Sequence, residues 1–399
     1  MTDAVSPLAH RLTGASTSIF SEMSALAMQY GSVNLGQGFP DFPGPPWVKA
    51  SAQGAIDADV NQYAISHGAP ALRTALARHY SGSLGRTLDP ERDIVVTSGA
   101  TEAVFASCLG LINPGDEAIV FEPFYDSYVP SVTFAGGVPR FVPLRQPDKT
   151  HADWWFDADE LADAFGPRTR LILLNTPHNP TGKVFTRDEL EFIAHLCHKW
   201  NTLVLSDEVY EAITFDGAQH ISIATLPSMW ERTLTISSSG KTFSLTGWKI
   251  GWVIAPPALN AATRATHQFI VFCSAAPLQL GIAAAFEHAA AQGYYATLRA
   301  EYAARRDILL AALHEAGLPA FTPRGTYFAL ADIRGLGYPD DIAFCHSLTI
   351  QAGVTAIPPS VFYSEAHRHL GRGLARFAFC KKKETLEVAA QRLRAWAKK

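Results

Sequence analysis

The sequence predicts an α/β protein: a large domain with a mainly parallel sheet covered by helices, plus a smaller α+β domain. Two observations carry this expectation. Short apolar runs at Ile94–Val96, Ala118–Phe121, Leu171–Leu174, Leu203–Leu205, Leu234–Ile236 and Ile250–Ile254 alternate with segments of helical period. Such strand–helix alternation indicates a parallel sheet with both faces covered. The 399 residues also exceed what one simple core needs and suit a large domain with a smaller partner.

Taken in order, the chain opens with an arm from about Pro7 to Tyr30. A short helix is expected there, because Phe20, Met23, Leu26 and Ala27 recur at helical spacing. Asn34 to Pro46 is a Gly/Pro-rich bend. The large domain is expected over 46–288, with the arm and its joining segment before it. Within it, Thr186 is a start signal for a helix over Arg187–Trp200. Residues 278–316 are alanine-rich and helical in period, interrupted only by Gly281 and Gly293, and predict a long connecting helix. The small domain, over 289–399, should contain strands at Tyr327–Ile333 and Leu374–Phe379 and a closing helix over Glu384–Ala397.

Composition excludes several classes of function. Of the residues, 48% are hydrophobic and 18% charged, the balance of a globular protein. A net charge of −4 gives no footprint for nucleic acid. The five cysteines are scattered without a CxxC pair, which argues against a disulfide framework and against a zinc site; no metal is expected. Cys197-His198 reads as part of a buried helix face. No signal peptide is expected at the N-terminus, and no run approaches the ~18 apolar residues of a membrane helix. A cytoplasmic setting follows as an expectation.

The chemistry lies just after the apolar runs. Val96 is followed by Thr97-Ser98-Gly99-Ala100-Thr101, Leu174 by Asn175-Thr176-Pro177-His178-Asn179, Leu205 by Ser206-Asp207-Glu208-Val209-Tyr210, and Ile236 by Ser237-Ser238-Ser239-Gly240-Lys241. Ligands bind beyond the carboxyl ends of parallel strands, so these clusters should meet in one crevice. Ser98 to Thr101 at a helix start offers free N–H groups that suit a phosphate. Ser238 and Lys249 can complete that cage. Neither GxxxxGK[ST] nor GxGxxG occurs, which argues against a nucleotide. Lys241 is a candidate nucleophile for a carbonyl, provided its amine is desolvated.

Ser237-Ser238-Ser239-Gly240-Lys241-Thr242-Phe243-Ser244-Leu245-Thr246-Gly247-Trp248-Lys249-Ile250-Gly251-Trp252 resembles the lysine signature of the fold-type I, class I/II aminotransferases. The likeness extends along the chain through Asn61-Gln62-Tyr63, Glu122-Pro123-Phe124-Tyr125, Asn175–Gly182, Ser206–Tyr210, Gly325-Thr326-Tyr327-Phe328 and Arg376. Asn34–Phe42 and Ala356–Tyr363 are similar to the branch of kynurenine–oxoglutarate (glutamine) transaminases and bacterial methionine aminotransferases.

The resemblance implies an aspartate aminotransferase-like fold, pyridoxal 5'-phosphate as cofactor, and transamination between an L-amino acid and a 2-oxo acid. It implies that Lys241 holds the cofactor as a Schiff base and moves the proton, while Asp207 pairs with the ring nitrogen. Tyr210 and Asn179 would bond the ring oxygen, and Tyr125 would stack on the ring. Gly99, Ala100, Thr101, Ser238 and Lys249 would hold the phosphate. Arg376, helped by Gly38 and Asn179, would take the substrate carboxylate as a two-pronged pair. Lys249 stands where other branches carry arginine. Tyr63 would reach the phosphate of a neighbouring subunit, making the unit a homodimer. Phe20 from the arm and Phe272 across the dimer would line the side-chain pocket and favour methionine, glutamine or aromatic donors, kynurenine among them. Taken singly, Asp207 also fits a helix cap, and Tyr125 and Phe272 also fit packing roles. A cysteine-S-conjugate β-lyase using the same lysine remains an alternative. So does a non-catalytic sensor, although the stretch before Asn34 is too short for a helix-turn-helix module.

Overall fold

The computed structural model describes residues 9–12 and 18–398. Its centre is a seven-stranded sheet in the order Ile94–Thr97, Gly251–Ile254, Thr233–Ser238, Leu203–Asp207, Thr169–Asn175, Glu117–Glu122, Val138–Pro143. Every residue of Glu117–Glu122, Leu203–Asp207 and Thr233–Ser238 is buried. Helices on both faces make that possible, and it explains why these strands read as continuous apolar runs rather than as alternating ones.

Two features of the sheet go beyond the sequence reading. Gly251–Ile254 runs antiparallel to both neighbours. Apolar periodicity does not encode strand direction. The edge strand Val138–Pro143 was not foreseen; it pairs in parallel with Glu117–Glu122. It carries Pro139 and Pro143 and is exposed at Val138 and Arg140. Proline is tolerated in a sheet chiefly at an edge, and its presence hides the strand from a pattern search.

Local signals set several helix boundaries. Thr186 accepts from the Glu189 amide, and the Glu189 carboxylate accepts from the Thr186 amide, closing a capping box on the helix Arg187–Trp200. On that helix Cys197 is buried as expected, whereas His198 is exposed, so only half of that pair faces the core. Proline at the first helical position opens Pro46–Asp57, Pro70–Ser83 and Pro257–Ile270.

The long helix expected over 278–316 is two helices, Ala276–Ala291 and Tyr294–Glu315. Gly293 divides them with φ +63°, a left-handed conformation that a continuous helix does not permit. Gly281 does not interrupt: a Cβ there would lie 2.9 Å from Ala52 Cβ, so its small size lets two helices pack closely.

In the C-terminal part, Phe328–Asp332 lies between Leu374–Ala378 and Ala320–Phe321, antiparallel to both. Lys383–Trp396 closes the chain as a helix, one residue from the expected range. Val33–Asn34 pairs in parallel with Val354–Thr355, tying the segment after the arm helix Ile19–Gln29 to the C-terminal part. Pro7 and the rest of residues 1–8 and 13–17 of the expected arm lie outside the described residues. No helix among the described residues is long and apolar enough to cross a membrane.

Candidate functional site

The strand ends do converge. A cavity of about 360 Å³ is lined by residues that follow Ile94–Thr97, Glu117–Glu122, Thr169–Asn175, Leu203–Asp207 and Thr233–Ser238, joined by the arm helix and the C-terminal sheet. In the parallel register Asn175 stands opposite Asp207, and Asp207 opposite Ile236, two residues before Ser238.

Lys241 sits in the short helix Ser239–Thr242 that follows its strand. Its Nζ donates to the Tyr327 hydroxyl at 2.8 Å and lies 5.7 Å from the Tyr210 ring centre. Burial lowers its pKa to about 8, Lys249 and Arg376 push the same way, and Cys380 and Asp207 oppose them. An amine so placed loses its proton far more readily than a surface lysine.

Asp207 ends its strand, buried, with Oδ2 accepting from the Tyr128 hydroxyl at 2.6 Å and Oδ1 from the Val209 amide at 3.2 Å. Burial raises its pKa, while Tyr128, the Val209 amide and Lys241 pull it back down. The helix-cap alternative for Asp207 is not realised: residues 209–212 form a turn, which the Val209 contact closes, and the carboxylate lines the cavity.

At the opposite side, Gly99 precedes the helix Ala100–Leu111, which has no side-chain cap. Its first-turn N–H groups are therefore available to an anion. Gly99 has φ +82°, and a Cβ there would lie 3.2 Å from Lys249 Nζ, so the ammonium is drawn up against the helix start. Ser238 and Thr101 line the same end, and Thr101 Oγ1 lies 3.5 Å from the Tyr125 hydroxyl. A cavity end with helical N–H groups, a hydroxyl and an ammonium fits a phosphate.

Arg376 lies on Leu374–Ala378, buried to 2% exposure. It donates to Gly36 O at 2.9 Å and to Asn179 Oδ1 at 3.3 Å, and its Nε has no protein partner. The rings of Phe328, Phe20 and Phe362 stand 4.3, 5.1 and 5.2 Å from its guanidinium carbon. Burial lowers its pKa to about 10, which leaves it charged at neutral pH. A desolvated cation with an unsatisfied N–H demands an anionic partner, and a carboxylate meets its fork. Asn179 is fixed by its own amide, which donates to Asn175 Oδ1 at 2.7 Å.

Of the residues singled out from sequence, Phe20, Gly38, Gly99, Ala100, Thr101, Tyr125, Asn179, Asp207, Tyr210, Ser238, Lys241, Lys249 and Arg376 line this one cavity. Tyr63 and Phe272 do not join it. They contact each other edge to face at 5.2 Å and are 84% and 45% exposed, outside the pocket of their own chain. Three lining or contacting groups were given no role by sequence: Tyr128, which holds Asp207; Tyr327, which holds Lys241; and Asp126, whose carboxyl lines the cavity near Arg376. Tyr327 stood in a quoted motif, but only the folded register brings its hydroxyl to the lysine. One cluster of possible metal ligands occurs among the described residues, Glu208, Glu211 and His220. Its carboxylates already accept from Ser206, Ser222, Ser237 and Tyr80.

Comparison with known proteins agrees with this geometry. The family pattern for aminotransferase class I and II matches residues 31–393. A kynurenine–oxoglutarate transaminase of Dictyostelium discoideum is 42% identical, over 94% of this chain and 93% of that one. The solved N-succinyldiaminopimelate aminotransferase of Mycobacterium tuberculosis superposes with a TM-score of 0.93 at 45% identity, covering 98% of this chain and all of that one. YbdL from Escherichia coli, reported with a methionine aminotransferase function, superposes at 0.92 with 39% identity and 98% coverage. The aspartate aminotransferase of Thermus thermophilus shares the fold at a TM-score of 0.88. A match across nearly the whole chain, on a fold that gathers a desolvated lysine, a buried aspartate and a buried arginine, makes this protein an aminotransferase of the class I and II family.

Proposed function

We propose that the chain binds pyridoxal 5'-phosphate at Lys241 and transfers amino groups from methionine, glutamine or aromatic L-amino acids, kynurenine among them, to a 2-oxo acid. The observation that carries the reading is the Lys241 amine, lowered to about pKa 8, held in one cavity with Asp207 and Arg376. When bound, the cofactor supplies an aldehyde for amine exchange and an electron-accepting ring. The amides of Gly99, Ala100 and Thr101, with Ser238 and Lys249, would grip its phosphate. Asp207, fixed by Tyr128, would meet the ring nitrogen, Tyr210 and Asn179 the ring oxygen, and Tyr125 a ring face. Arg376, with Gly38 and Asn179, would orient the substrate carboxylate, and Lys241 Nζ would carry the proton to and from the substrate carbon.

Donor preference rests on what surrounds Arg376. The lining cations are Lys241, Lys249 and Arg376, each with a proposed task, and the Asp126 carboxyl adds negative character. A dicarboxylic donor would bury its distal charge without a partner, which is costly. Phe20 and Phe328 instead offer apolar surface in the cavity, worth about 0.8 kcal/mol per buried methylene. Methionine and phenylalanine should therefore show higher kcat/KM than aspartate; equal or better turnover of aspartate would end this reading. The name of the Mycobacterium tuberculosis relative points to an acylated diamino dicarboxylic acid, and that compound belongs in the same donor panel.

We also propose a homodimer in which Tyr63 and Phe272 serve the neighbouring subunit's site. Their contact with each other, and the exposure of Phe269 beside them at 87%, support a covered apolar face. A mixed dimer of Tyr63→Phe and Lys241→Ala chains has one site with both defects and one with neither. Activity should reappear on mixing the two impaired variants. No gain on mixing, or full activity in a sedimenting monomer, would exclude shared sites.

A further inference from the structure

We propose that Tyr327 is a positioning residue for the reacting amine: its hydroxyl, turned by a bond to Gly38, orients Lys241 Nζ and links that amine to the loop beside the substrate carboxylate site. This rests on Lys241 being the reacting lysine.

The chain of contacts is short. Lys241 Nζ donates to Tyr327 Oη at 2.8 Å, and Tyr327 Oη donates to Gly38 O at 2.6 Å. A phenol has one proton. With that proton committed to the Gly38 carbonyl, the oxygen presents only lone pairs to Nζ. The lysine must therefore point an N–H at Tyr327, and in the neutral amine the nitrogen lone pair is turned away from it. An oxygen of this kind also favours the ammonium over the amine, which opposes the loss of charge that burial imposes.

The Gly38 end is equally constrained. Three side chains from the C-terminal part hold three carbonyls of one strip: Arg376 on Gly36 at 2.9 Å, Tyr327 on Gly38 at 2.6 Å and Lys381 on Phe39 at 2.8 Å. Gly38 is pressed against these rings; a Cβ there would come within 2.6 Å of Phe328 Cζ and 3.4 Å of Tyr327 Cε2. The Tyr327 ring is fully buried, edge to face with Tyr210 at 5.0 Å and near Tyr302 at 5.9 Å. The Tyr210 hydroxyl is a further neighbour of its oxygen, within one buried cluster. Movement of the Gly36–Phe39 strip would thus be transmitted to Nζ through one oxygen atom.

Tyr327→Phe keeps the ring and removes only the oxygen. Three readouts on the full chain test the proposal: the pH midpoint for acetylation of Lys241 in cofactor-free protein, read by peptide mass spectrometry; kcat and KM for a neutral donor; and the melting temperature. The midpoint should move to lower pH, because the ammonium loses an acceptor, and kcat should fall about tenfold or more. A purely structural tyrosine would change KM or melting temperature and leave the lysine midpoint in place. An unchanged midpoint with wild-type kcat overturns the proposal, whatever happens to KM. Lys241→Ala is the control: if it stays active, the assignment of the lysine itself fails. If it is dead while Tyr327→Phe is normal, only the role of Tyr327 fails.

Discussion

Asp207→Ala is expected to retain the fold and cofactor but to lose about 3 kcal/mol or more of transition-state stabilisation, roughly a hundredfold or more in kcat. The carboxyl is the buried acidic group at the end of the central strand Leu203–Asp207, where burial raises its pKa and bonds from the Tyr128 hydroxyl and the Val209 amide oppose that rise. A smaller effect on stability should accompany the change, because the Tyr128 hydroxyl loses its acceptor, worth about 1–3 kcal/mol when buried. Steady-state kinetics at matched cofactor content, with a melting curve, check both parts. Near wild-type turnover in a folded Asp207→Ala variant contradicts the assignment.

Lys241→Ala should cost more, on the order of ten-thousandfold, since both the attachment of the cofactor and the proton carrier are lost. Its effect on stability should run the other way at low pH. The folded chain holds this amine near pKa 8 against an ordinary 10.5, so the unfolded chain binds the proton more tightly. A lowered lysine pKa penalises folding fully below about 8, and the penalty fades as pH rises towards 10.5. The melting temperature of cofactor-free Lys241→Ala, relative to wild type, should therefore fall as pH rises through that window. A flat or rising difference would mean that the amine is not desolvated. Stability given up for a reactive group is the expected trade at such a site.

Much of this was legible in the sequence because strand, turn and helix signals agreed at the same places. The Thr186 start signal and the clusters after each apolar run act locally, so a linear reading finds them. The resemblance around Lys241 then assigned roles that isolated residues could not claim. What escaped depends on the folded register. The direction of Gly251–Ile254 leaves no trace in its composition, and the prolines of Val138–Pro143 masked a strand that only an edge position permits. The break at Gly293 was visible as a glycine, but not that it would adopt φ +63° while Gly281 stayed helical. Tyr128 and Tyr327 became part of the site through contacts with residues 79 and 86 positions away. No local motif announces such contacts.

The central claim is that Lys241, and no other lysine, carries the cofactor. Lys249 has its Nζ close to Gly99 at the phosphate end. Lys183 is buried elsewhere, donating to Trp154 O at 2.6 Å and paired with Glu189 at 2.7 Å. Borohydride reduction of the holoenzyme followed by peptide mapping should place the pyridoxyl adduct on Lys241 alone; an adduct on Lys249 or Lys183, or no adduct in a catalytically active preparation, would contradict the account.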